Sequence, residues 1–395
     1  MVTSNSCTGD VQQKRLGARA ATNSNIAFVW DNFGPIHADR CEAVAEHYRG
    51  QIRVLGIEVF GKSRTYSWMP VPGAGFEKLT LFPCDGTTID NVLVKGWRIV
   101  RACLANKVSY VFMCHYERME IFFSAVILRL FGCRVYVMND SKYDDYRRYL
   151  WLEVAKAVLH IPYNGGIGAG RRSRDYMRFL GMRESNLQTG YNSMTIARLT
   201  SLAAADLAPG IYPFSKRHFS IVARLVLKKN ISTAIAAYAK YRQLATNKIP
   251  LHIYGDGELE PELRAQVEAL RLSEHILFCG FLQTNGIISA LGSSLALILP
   301  STEEQFGNVV SEAMAMGVPA IVSSNCGACD VLVNTGVNGF VVEPDNVDGF
   351  AFFMKLMADD EILWRKMSAA STLAAERVDT SVFVKSVAFF VDESK

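Results

Sequence analysis

Short apolar runs alternate with longer segments of helical periodicity along almost the whole chain. NIAFVW at 25–30 reads as a strand, and a helix follows at about 37–49. QIRVLGIEVF (51–60), YVFMC (110–114) and RVYVM (134–138) are further strand-like runs. Helix-like stretches lie near 90–106, 118–131, 145–157 and 171–181, and residues 69–90, with Pro and Gly, read as an irregular loop. Apolar runs of strand length bounded by helical patterns predict a parallel, doubly wound α/β sheet.

The rhythm breaks at about 192–217, in a segment containing ADLAPGIYPFSKR, and then restarts. Strands are expected at 219–223, 251–255, 275–280, 295–300, 318–323 and 339–343. Helices are expected at 231–245, 258–271, 284–291, 308–316, 346–358 and 360–377. The chain therefore divides into a disordered polar tail (1–24), an N-terminal α/β domain (25–205), a C-terminal α/β domain (206–378) and a final segment (379–395). That last segment is expected to form a helix packed back on the N-terminal domain. Ligands of open α/β sheets bind beyond the carboxyl ends of the strands, so two facing sheets imply a central cleft.

Composition narrows the function. Of 395 residues, half are hydrophobic and 20% charged, which excludes a disordered chain. Net charge is +4, too small for the dense basic footprint of a nucleic-acid binder. Nine cysteines, mostly in apolar strand-like contexts, suit free thiols in a reducing compartment. The one CxxC pair, Cys326-Gly-Ala-Cys329, has no second ligand pair at zinc spacing. Residues 1–24 lack the apolar core of a secretory signal. The longest apolar stretch, 121–131, contains Arg129 and is too short to span a bilayer. The expectation is a cytoplasmic protein whose membrane contact is at most peripheral.

The chemistry concentrates in LALILPSTEEQFGNVVSEAMAMGVPAIVSS (295–324). A strand ends at Pro300, a loop carries Glu304, Phe306 and Gly307, and a helix opens at about Asn308. Glu304 and Glu312 stand eight apart, one in the loop and one a turn into the helix. A helix start offers free N–H groups to phosphate, glycine permits close approach, and carboxylates match vicinal hydroxyls. Two ordinary acids near a helix start are the bland alternative. VARLVLKKN (222–230) adds Arg224 and Lys229 after another strand, cations able to neutralise a diphosphate leaving group. Solvated loop cations are the alternative there.

Taken in order, R-L-x3-K-N, IYGDGELEPEL (253–263), ILFCGFL (276–282), the 299–323 stretch and GVNGFVVEPDN (336–346) carry a resemblance. Over roughly 219–350 the chain resembles the donor-binding half of retaining glycosyltransferases of the family-4 type. These have the GT-B fold of two Rossmann-like domains facing a cleft. The resemblance implies transfer of a sugar from a nucleotide-diphosphate sugar to a hydroxyl acceptor in polysaccharide, lipid-linked oligosaccharide or glycolipid synthesis. It implies a metal-independent front-face mechanism with no cofactor, the nucleotide sugar being a substrate. Arg224 and Lys229 match the diphosphate cations, Glu304 the acid beside the donor sugar, and Glu312 the acid on the ribose. Phe306, Gly307, Asn308 and Val309 match the loop that meets sugar and phosphate, and Phe281 and Leu282 the nucleobase site.

The N-terminal half resembles the family less. Gly34 in WDNFGPIHADRCEAV stands in the place of a glycine-rich loop, followed by Pro35. His37, in the same stretch, and His115, in CHYER (114–118), sit at loops facing the expected cleft as acceptor-side candidates, His115 also as a catalytic candidate. Asn139 stands where relatives have a strand-end histidine, and Asp140 follows it as a further catalytic or acceptor candidate. Asp140, Asp144 and Asp145 lack the D-x-D arrangement of metal-dependent transferases, and no metal is expected. His47, His160, His218, His252 and His275 have no motif context. GGIGAG (165–170) misses dinucleotide-fingerprint spacing, and Arg171, Arg172 and Arg174 form a basic cluster that suits an anionic acceptor or lipid headgroup. The rival functions are a GT-B nucleotide-sugar epimerase, which needs no acceptor, and a non-catalytic nucleotide-sugar-binding protein.

Overall fold

The computed structural model describes residues 24–62, 75–84, 91–204, 207 and 211–392. The tail expected at 1–24 lies outside them except for its last residue. Among the described residues thirteen strands form two sheets, and every strand pairing is parallel. The first sheet contains β1 (Asn25–Trp30), β2 (Val54–Phe60), β3 (Glu77–Phe82), β4 (Val108–Met113), β5 (Arg134–Asn139), β6 (Gly165–Gly168) and β7 (Leu187–Thr189), in the order β3-β2-β1-β4-β5-β6-β7. The second contains β8 (His218–Val222), β9 (Leu251–Tyr254), β10 (Ile276–Gly280), β11 (Ser294–Leu299), β12 (Ala320–Ser323) and β13 (Gly339–Val342), in the order β10-β9-β8-β11-β12-β13. In each sheet the strand order reverses once, between β1 and β4 and between β8 and β11. Those reversals are the places where an open sheet forms a ligand crevice.

Burial explains the apolar runs. Every residue of β2 and of β11 is buried, because helices cover both faces of each sheet. Successive residues feed opposite cores: Ala27, Val29 and Val111 pack on one face of the first sheet, Ile26, Phe28 and Phe112 on the other. The second face is completed by the C-terminal helix Thr380–Asp392. Its Phe383 ring lies 5.5 Å from Phe28, and its Phe390 ring 4.4 Å from Tyr136. The chain thus crosses between domains twice, and the crossings lie side by side: the Met194 N–H donates to the Val378 carbonyl at 2.9 Å, and the Ile196 N–H to Asp379 at 3.3 Å.

Several elements differ from the sequence expectation, the short strand β7 among them. β3 runs through the segment read as an irregular loop, as a half-buried edge strand. The glycine run contains β6, where a Cβ on Gly165 would lie 2.4 Å from the Asn186 carbonyl oxygen and one on Gly168 would lie 2.9 Å from the Arg174 nitrogen. Glycine is required there by neighbouring backbone, not by phosphate. A short helix, Ile196–Ser201, occupies the segment where the rhythm breaks.

Candidate functional site

The carboxyl ends of both sheets open on one cleft of about 850 Å³. From the first sheet it is lined by Gly34 and His37 after β1, His115 after β4, and Asn139 and Asp140 at the end of β5. From the second it is lined by Arg224 after β8, Gly255 and Asp256 after β9, Phe281 and Leu282 after β10, and Asn308 and Glu312 after β11.

On the C-terminal side the loop geometry is fixed by backbone contact. The Leu225 N–H donates to the Asp256 carbonyl at 2.7 Å, and a Cβ on Gly255 would lie 1.9 Å from the Ala223 oxygen. Only glycine lets these two loops touch. Lys229 ends a one-turn helix, and Asn230 behind it adopts φ 53°. The Asn230 amide donates to the carbonyls of Pro300 (3.1 Å) and Pro344 (2.7 Å), tying this loop to the end of β11. Lys229 forms an ion pair with Glu304, which also accepts from the Ser301 hydroxyl at 3.2 Å. This largely buried pair does not line the cavity; Gln305 and Asn308, on either side of the same turn, do.

Gly307 caps the helix Asn308–Ala315 with φ 96°, a left-handed conformation that favours glycine. Phe306 is buried, and its carbonyl accepts from the Ala328 N–H (2.7 Å) and the Cys326 thiol (3.0 Å). Val309 is half-buried against the same core. The expected loop therefore splits, with Phe306 and Val309 holding the turn and Asn308 facing the cleft. Asn308 Oδ1 and Ser311 Oγ, in the helix's first turns, are buried without a hydrogen-bond partner. Burial pushes the Glu312 carboxyl up to about 7, with Arg198 pulling the other way.

On the N-terminal side the Gly34 N–H donates to His37 Nδ1 at 2.9 Å, so the neutral ring carries its proton on Nε2. Burial, then Arg40 and His115, hold its pKa well below the usual histidine value. His115 adopts φ 58°, a strained backbone for a side-chain-bearing residue. Burial lowers its pKa, but Glu117 at 3.5 Å and Asp31 outweigh that and raise it. Asp140 is raised by burial, with His115 opposing. Asn139 Oδ1 accepts from the Ser141 N–H at 3.1 Å.

Several residues at the cleft escaped sequence reasoning. Arg198 donates two hydrogen bonds to the buried Asp39, each 2.6 Å, and lines the cleft with Glu312. Arg40 is buried, donating to the Ser193 carbonyl at 3.0 Å over the Tyr191 ring. No local signal marks Arg198, which lies in the aperiodic 192–217 segment; Asp39 and Arg40 sit among other polar residues of PIHADRCEAVAEH, and nothing local singles them out as buried. Two of the three arginines of the basic cluster, Arg172 and Arg174, face acids, while Arg171 is exposed. Arg172 bonds Asp144 (2.6 Å), Asp330 (2.9 Å) and the Cys326 carbonyl (2.6 Å), and Arg174 lies 3.7 Å from Glu184. Lys142 holds Asp145 at 2.6 Å. Among the described residues no group of three or more His, Cys, Asp or Glu is placed to hold a metal ion.

Residues 213–373 match the family described as glycosyl transferases group 1. An uncharacterized glycosyltransferase of Methanocaldococcus jannaschii is 32% identical over 139 residues, 35% of either chain. A UDP-Gal:alpha-D-GlcNAc-diphosphoundecaprenol alpha-1,3-galactosyltransferase of Escherichia coli is 32% identical over 149 residues, 37% of either chain. The match thus spans about a third of the length of these curated relatives. Among solved structures, Anabaena HepE in complex with UDP superposes with TM-score 0.70 at 16% identity, over 94% of this chain and all of that one. Sucrose-phosphate synthase from Thermosynechococcus elongatus superposes with TM-score 0.71 at 14% identity, over 94% and 99%. The chain has the two-domain GT-B fold, and its residues 213–373 are similar to the glycosyl transferases group 1 family.

Proposed function

We propose that the protein is a nucleotide-sugar-dependent glycosyltransferase that retains anomeric configuration and acts on a hydroxyl acceptor. The observation that carries this reading is the junction of β8 and β11 at the cleft. Arg224 lines the cavity there with Glu312, a residue of the helix whose first turns hold buried, unpartnered Asn308 Oδ1 and Ser311 Oγ. A diphosphate matches Arg224 and the helix start, and ribose hydroxyls match Glu312. Phe281, half exposed at the mouth, offers a ring for a base. The acceptor enters from the side of His37, His115 and Asp140.

In this reading the acceptor hydroxyl attacks on the face from which the diphosphate leaves, and a diphosphate oxygen takes its proton. The Lys229–Glu304 pair lies behind the cavity wall next to Gln305 and parts on donor binding, Lys229 then countering leaving-group charge and Glu304 orienting the sugar. Closure of the cleft excludes water. UDP sugars are the first donors to try, since HepE is seen with UDP and the Escherichia coli relative is named for UDP-Gal.

The test is a thermal-shift screen of nucleotide sugars, where a ligand of the native state raises Tm by mass action. Transfer to candidate acceptors by the donor so found then follows. Loss of transfer in both Glu304→Ala and Lys229→Ala is expected. Near-normal turnover in either sinks the assignment, and an epimer formed without acceptor gives the reaction to the rival enzyme class.

A further inference from the structure

The helix Leu150–Leu159 is turned inside out. Its charged Glu153 is buried, accepting from the Tyr176 hydroxyl at 2.5 Å and from Lys156 at 2.8 Å. Its apolar residues face outward: Leu150, Trp151, Val154 and Val158, with Ile161 just beyond, are 54–71% exposed. Positions 150, 154, 158 and 161 fall at the spacing of one helical face. Leu130 and Phe131, 81% and 64% exposed, extend it, and their turn is joined to this segment by Arg129, which donates to the Pro162 carbonyl at 3.0 Å. A contiguous apolar face of this kind marks an interaction site, whereas single exposed leucines do not.

Charge identifies the occupant. Within 119–134 and 147–162 the exposed charged residues are all arginines, Arg129, Arg134 and Arg147, while Glu120 and Glu153 are buried. A second copy of the chain related by a two-fold axis would set arginines against arginines. An anionic lipid surface complements them. Exposed Tyr146, Tyr149 and Trp151 at the edge of the face supply amphipathic rings suited to headgroup depth. Among the described residues no helix is long and apolar enough to cross a membrane, so the fit is to a surface.

We infer that this face of the N-terminal domain docks on an anionic lipid bilayer, with Trp151, Val154 and Val158 in the interface and Arg129, Arg134 and Arg147 at the headgroups. Tyr146 and Lys156 also line the cleft, so docking sets the mouth of the cleft at the bilayer surface. The inference rests on this surface alone and is independent of the reaction performed in the cleft.

Flotation of the full chain with vesicles of phosphatidylcholine and phosphatidylglycerol, against phosphatidylcholine alone, tests it. Partitioning is expected to favour the anionic vesicles by about tenfold or more and to weaken with added salt. The exposed triple substitution Trp151→Glu, Val154→Glu and Val158→Glu is expected to abolish it without lowering Tm. The milder Trp151→Ala reduces it and removes a blue shift of tryptophan fluorescence on binding. Arg147→Gln is expected to weaken partitioning about fivefold. Absent binding, or equal binding to both vesicle types, overturns the inference. So does a concentration-dependent dimer dissolved by the triple substitution, which gives the face to a second copy.

Discussion

Glu312 sits where protonation changes what it can hold. Its carboxyl is raised to about 7 by burial, against the pull of Arg198. The ionised form accepts two hydroxyl hydrogen bonds side by side; the protonated form accepts less well. On the proposed assignment of Glu312 to the donor's hydroxyls, donor affinity measured by calorimetry is expected to rise from pH 6 to pH 8, and Glu312→Gln is expected to flatten that rise. Stability carries the opposite sign. A raised carboxyl pKa means the folded state binds the proton more tightly than the unfolded state, so this contribution falls as pH climbs from the ordinary carboxylate range through about 7. Tm of the wild type should accordingly decline across that window more than Tm of Glu312→Gln. The Lys229–Glu304 pair behaves differently, because each partner is the other's counter-charge in a poorly hydrated site. Removing one leaves the other unpaired, so the two single alanine variants are expected to lose more in sum than the double variant loses. A coupling of about 1–3 kcal/mol in denaturant unfolding is the expected measure.

Glycine at β6 shows how an element can be dictated by its neighbours. In Gly165→Ala the new Cβ meets the Asn186 carbonyl oxygen at 2.4 Å and the Phe390 ring at 2.9 Å, and backbone cannot swing aside. The variant is expected to lose about 1–3 kcal/mol of stability by chemical denaturation. The same strand marks a limit of reading the chain locally. Central strands such as β1, β4 and β11 are legible because burial on both faces leaves an unbroken apolar run. GGIG is not, because its composition answers to a helix and a loop pressing on it from distant sequence. EKLTLF is not, because an edge strand with one exposed face lacks that run and lies among turn residues. The site divides the same way. The loops after β8 and β11 are written locally, so Arg224, Gly307 and Glu312 can be picked out in order. The Asp39–Arg198 bonds join residues 159 apart, and nothing in either segment announces the other.

The two domains are joined by adjacent crossings at 194–196 and 378–380, a narrow connection about which one domain can turn on the other. Away from the crossings, Ala169 and Ile36 pack into the second domain's core and Arg172 makes the densest set of polar contacts across. From the start of the helix Arg171–Phe179 its guanidinium reaches across to Asp330 (2.9 Å), the Ser324 carbonyl (3.1 Å), the Cys326 carbonyl (2.6 Å) and the Cys329 thiol (3.1 Å), while Asp144 anchors it at home (2.6 Å). The Cys326 it grips pairs in register with Glu304 and packs against the Gly307 turn, so the clamp bears directly on the loop beside the cleft. A planar fork is needed to meet so many acceptors together, which a lysine ammonium cannot do. Arg172→Ala is therefore expected to widen the interdomain distance distribution in paired-label spectroscopy, with Arg172→Lys intermediate. If closure serves to keep water from the donor, the looser variant should also hydrolyse nucleotide sugar several-fold more per transfer event than the wild type. A wider distance distribution with an unchanged hydrolysis-to-transfer ratio would separate the clamp's mechanical role from the chemistry and assign water exclusion to the cleft walls themselves.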